Sequence, residues 1–135
     1  MRLLILLISI ATFLNVQKSE LDPRLIGRWM MLYTKDASGL VVKDEFFGKK
    51  YLETYTKDGR LLLNPQFFRD DIKKQGINAP LDYAAIPALG WKTYNNETLE
   101  IETAQGNQQV RFGFSGDTLL LGYASGNTRY LLKRK

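Results

Sequence analysis

From Trp91 to Lys135 the chain is a succession of short apolar runs, each cut off by tight-turn residues. Asn95-Asn96, Gln105-Gly106-Asn107, Gly116-Asp117 and Ser125-Gly126-Asn127 recur about every ten residues. Turns of this chemistry match the twist of paired strands and join antiparallel neighbours. Within the runs, Leu99 and Ile101 alternate with Glu100 and Glu102. Val110, Phe112 and Phe114 alternate with Gln109, Arg111 and Gly113. Period two with one apolar face describes a sheet packed on one side and wet on the other. Leu119 to Leu121 and Leu131-Leu132 are apolar on both faces, which asks for cover by a helix, by the N-terminal segment or by a partner. A sheet of about eight such strands closes or splits in two, because open edges template aggregation. Short sequential hairpins predict closure as an all-β, up-and-down antiparallel barrel.

The front of the chain supplies the remaining strands. Leu25 to Tyr33, Leu40 to Val42, Phe46 to Thr56 and Arg60 to Leu63 are strand candidates. Lys57-Asp58-Gly59 between the last two is a strong hairpin signal. One short helix interrupts the meander. Asn64-Pro65 has the form of an N-cap followed by proline at the first helical position. Gln66 to Gln75 then fits about three turns, and Gly76 stands where a helix stops. Phe67 and Phe68 lie on its apolar side. A further helical turn is expected around Asp82 to Ala85, and strands near 91–94, 98–103, 108–115, 118–124 and 128–133.

The chain opens on Met1-Arg2 and an apolar stretch from Leu3 to Leu14. That length suits a signal-peptide core and is short for a membrane span, which needs about 20 residues. The expectation is export to the periplasm or beyond. Residues 1–17 are then a signal peptide, 18–135 one barrel domain, and no stable membrane span remains after cleavage.

Composition removes much chemistry. The chain has no Cys and no His. Disulfides, catalytic thiols, thiolate or imidazole metal sites and histidine triads are therefore excluded. No cofactor and no metal is expected. The formal net charge is +5, but the basic residues are scattered apart from Lys133-Arg134-Lys135. A nucleic-acid surface wants basic residues interleaved with aromatics on one face, so no nucleic-acid partner is expected. The carboxylates form no convergent acid–base set, and the chain is read as a non-enzyme.

Leu25-Ile26-Gly27-Arg28-Trp29 resembles the Gly-x-Trp opening strand of lipocalin-like proteins. Tyr55-Thr56-Lys57-Asp58-Gly59-Arg60 resembles a hairpin of bacterial lipocalin-like, calycin-type domains, and Thr128 to Arg134 their closing strand. The chain departs from secreted lipocalins in being shorter, in lacking a disulfide and in its inserted helix. The resemblance implies structural roles at barrel closure. Gly27 would permit close backbone packing, Trp29 would fill the base, and Arg129 or Arg134 would lie across its ring as a cation–π pair.

Candidate ligand-binding residues are Tyr51, Glu53, Tyr55, Phe67, Phe68 and Trp91. Tyr51, Glu53 and Tyr55 share one strand face. Facing inward they would line a polar, aromatic cavity; facing outward they would be ordinary surface, and alternation does not choose. Two functions stand side by side. One is a binding module holding a small apolar or amphipathic ligand in the barrel. The other is a protein-interaction or inhibitor domain with a side-chain-filled barrel and no small ligand.

Overall fold

The computed structural model describes residues 18–44, 46–81 and 86–135. The expected signal peptide at 1–17 and the expected helical turn at 82–85 lie outside the described residues. Eight antiparallel strands close into an up-and-down barrel. They are β2 (Gly27–Lys35), β3 (Leu52–Tyr55), β4 (Arg60–Leu63), β5 (Leu89–Tyr94), β6 (Thr98–Thr103), β7 (Gly106–Ser115), β8 (Thr118–Gly122) and β9 (Thr128–Arg134). Each pairs with the next, and β9 returns to β2. A two-residue strand, β1 (Ser19–Glu20), lies against Thr93 and Tyr94 of β5, below the reach of short β4. Thr93 Oγ1 locks it there, donating to the Glu20 carbonyl at 3.0 Å and accepting from the Asp22 N–H at 3.2 Å.

Turn chemistry sets the hairpins. Asn95 and Asn96 both adopt positive φ, 55° and 60°, as the β5–β6 turn requires. The helix α1 (Pro65–Lys74) forms as its caps predict: the Asn64 side chain accepts from the Gln66 N–H, Pro65 takes the first turn, and Gly76 follows at φ 76°. The long strand expected over 46–56 forms only from Leu52, because Gly48 and Lys50 take left-handed conformations that break extended backbone. The strand expected at 40–42 reduces to one bridge, Lys35 to Val41.

Within β2 the register against β9 shifts. Met31 faces Leu131 while Tyr33 faces Tyr130, so Leu32 is an extra residue. This bulge turns Thr34 into the barrel and Tyr33 out, which simple alternation could not show.

The interior has two levels. Near the base, buried Leu25, Trp29, Leu99, Phe112, Leu119 and Leu131 form the apolar core. Nearer the mouth, where α1 and the β2–β3 and β8–β9 connections gather, buried Thr34 and Glu53 join half-buried Tyr123 and Arg129.

The cation over Trp29 is Lys133, at 4.6 Å from the ring centroid, and neither arginine expected there. Lys133 Nζ also donates to the Ile26 carbonyl at 2.8 Å. Gly27 makes room for it: a Cβ at this residue, whose φ is 134°, would collide with Lys133 Nζ. Arg134 stands exposed on the outer face opposite Arg28. Arg129 lies inside, near the mouth.

Candidate functional site

Tyr51, just before β3, and Glu53 and Tyr55 on it all point into the barrel. All three are buried, Glu53 to 6% exposure. Tyr55 Oη donates to Glu53 Oε2 at 3.3 Å, and Arg129 Nη1 lies 3.9 Å from Glu53 Oε1. That ion pair is loose for a buried one. Burial pushes the Glu53 carboxyl above its ordinary range, and the Arg129 charge and the Tyr55 hydroxyl only partly offset it. Burial and the Glu53 charge push the Tyr55 hydroxyl well up.

Arg129 is held by rings more than by hydrogen bonds. Its guanidinium lies 5.0 Å from the Phe46 centroid and 5.4 Å from that of Tyr123, both within cation–π range. Its Nε is buried with no hydrogen-bond partner among the described residues. A buried donor without a partner costs free energy comparable to a lost hydrogen bond, so the arrangement has spare capacity for one acceptor.

Beside this pair is an inner chamber of about 100 Å³, lined by Met31, Phe46, Tyr51, Glu53, Phe67 and Arg129 among others. Phe46, Tyr51 and Phe67 separate it from an outer groove of about 350 Å³ that runs to Lys49, Asp70 and Lys73. Phe67 stacks on Phe46 at 5.6 Å and meets Tyr51 edge-on at 5.5 Å. Tyr51 Oη donates to Asp70 Oδ2 at 2.6 Å, tying α1 to the barrel. That bond is the main cause holding the Asp70 carboxyl below its usual range. A third opening, a cleft of about 410 Å³ lined by Thr34, Gln108, Tyr123, Asn127 and others, reaches Arg129 from the opposite side.

The expected ligand residues therefore divide. Tyr51, Glu53 and Phe67 converge on the chamber. Tyr55 holds Glu53 from below. Trp91 is core instead, edge-on to Tyr55 at 5.4 Å, with its Nε1–H donated to the Thr56 carbonyl. Phe68 turns to a separate groove along Leu61, Leu63 and Leu89. Phe46 was missed as a site residue, and Arg129 was expected over Trp29 and not at the chamber. Arg129 has a sequence signal: it is four residues before Lys133, so both face inward on β9. Among the described residues no cluster of three or more acidic groups is placed to hold a metal ion, and no helix is long and apolar enough to cross a membrane. Comparison with protein-family models, with curated proteins and with solved structures finds no match.

Proposed function

We propose that this chain is an exported, non-catalytic, lipocalin-like binding module for a small amphipathic ligand. The observation that carries the reading is Arg129, whose buried Nε lacks an acceptor at the wall of an aromatic-lined chamber. The chamber alone, about 100 Å³, is small. A ligand of ordinary size, which needs about 300 Å³, would place its polar end against Arg129 and Glu53. Its apolar body would lie in the outer groove, with Phe46, Tyr51 and Phe67 rearranging to join the two spaces.

An environment-sensitive dye, 8-anilinonaphthalene-1-sulfonate, tests this. Saturable binding with a fluorescence rise is expected, and Phe67→Ala should weaken it about tenfold, the scale of one lost aromatic contact. Phe67 is only partly buried, so the variant should lose some stability but stay folded, and its affinity is read well below its unfolding midpoint. Absence of saturable binding would instead favour the protein-interaction reading, which the largely filled interior supports.

Export rests on the Leu3–Leu14 run behind Arg2. Mass spectrometry of the periplasmic or secreted fraction should find a new N-terminus between Asn15 and Leu21. A cut before Ser19 would keep β1 and its bonds to Thr93. Intact Met1 on soluble cytoplasmic protein would oppose export.

A further inference from the structure

Five neighbouring strands, β4, β3, β2, β9 and β8, contain a single carboxylate, Glu53, and it is buried inside. Their outer face therefore shows only cations, apolar side chains and small polar groups. Across β2 and β9 the register pairs like with like: Arg28 faces Arg134, Met30 faces Leu132, and Tyr33 faces Tyr130. Lys35 lies over both tyrosine rings, at 5.4 and 5.5 Å. Arg60 and exposed Leu62 extend the face on one side and Leu120 on the other. None of Arg28, Arg60 and Arg134 forms an ion pair with a described residue. The helix α1 reaches only the β4 edge of this face, where Phe68 shares a groove with Arg60 and Leu62, and β1 lies on β5, so neither covers β2 and β9.

Like charges directly opposite each other on a sheet are destabilising. An anionic group across Arg28 and Arg134 would relieve that repulsion. A second copy of the same face would worsen it, by setting arginine against arginine. The apolar centre has cations at both ends and two tyrosines at one. That is the order of an element lying in a bilayer interface, where Tyr sits at headgroup level and long basic side chains reach the phosphates.

We propose that the outer face of β2 and β9, with Arg28, Met30, Tyr33, Tyr130, Leu132 and Arg134, docks on an anionic membrane surface through its lipid headgroups. The proposal is independent of what the barrel holds.

The test is co-sedimentation of the purified mature protein with phosphatidylcholine vesicles, with and without about one-third phosphatidylglycerol. Binding is expected on the anionic vesicles only, and should fade as salt shortens the range of attraction. Arg28→Gln with Arg134→Gln should weaken binding roughly tenfold or more, without lowering the thermal midpoint. Leu132→Ser should weaken it severalfold. Lys92→Gln with Arg111→Gln removes the same charge from β5 and β7, outside these five strands, and should leave most of the binding intact. Equal binding to neutral vesicles would overturn the proposal, as would equal loss in the charge-matched control. No vesicle binding at all would also overturn it, and would turn the search to an acidic protein partner.

Discussion

Replacing Trp29 with alanine is expected to destabilise the barrel by about 3–5 kcal/mol, the range for truncating a buried large aromatic. The ring is 3% exposed and packs 5.9 Å from Phe114, with Lys133 over its face. Its Nε1–H donates to the Leu25 carbonyl at 2.9 Å. Truncation would open a cavity at the closed end, orphan that carbonyl and leave Lys133 without its ring. The loss is a large fraction of the stability of an ordinary domain, about 5–15 kcal/mol. Trp29→Phe keeps a ring and loses the indole N–H, so it should cost clearly less. Denaturant unfolding of both variants measures this. A change below about 1 kcal/mol for the alanine variant would mean that the base packs without Trp29.

The second large effect is expected at the mouth. Arg129→Met should destabilise the protein by about 3–5 kcal/mol at neutral pH, because it leaves Glu53 buried without its cation. The sign with pH follows from the raised carboxyl. A group held above its unfolded value, about 4.5 for Glu53, binds more protons folded than unfolded, so stability falls as pH rises across that window. In the parent, Glu53 therefore costs nothing below the unfolded value and most above the folded one. Without Arg129 the folded value rises further, and the penalty grows over a wider pH range. Acidification toward the unfolded value should then restore much of the lost stability. Adding Glu53→Gln to Arg129→Met removes the stranded charge, and the double variant should be more stable at neutral pH than the single one. A flat stability difference between parent and Arg129→Met from acid to neutral pH would show that Glu53 is not the group stranded.

Legibility in the sequence follows the range of the interaction. The helix was readable because Asn64, Pro65 and Gly76 act within a few residues of it. The strand β3 was readable only as to its existence, since the breaks at Gly48 and Lys50 come from backbone conformations that many residue types can adopt. The choice between Arg129 and Arg134 over Trp29 failed on register. Alternation alone puts Arg129 and Lys133 on one face of β9 and Arg134 on the other, but which inward cation is level with Trp29 depends on the pairing Trp29 to Lys133. The bulge at Leu32 lies in that same pairing and adds a residue to one strand only.

The sequence by itself determined the strand rhythm, the hairpin turns, the inserted helix and the absence of thiol and imidazole chemistry. These rest on side-chain alternation and turn residues, which act locally. Closure of β9 onto β2 decided the rest. It turned Tyr51, Glu53 and Tyr55 inward, brought Arg129 of the last strand to Glu53 of the third, and set Lys133 on Trp29. It also laid five strands without an outward carboxylate side by side, a property that no single strand displays. Each of these is a pairing between segments far apart in the chain. Their register is set by which faces bury together in a closed barrel, and no local stretch of sequence encodes it.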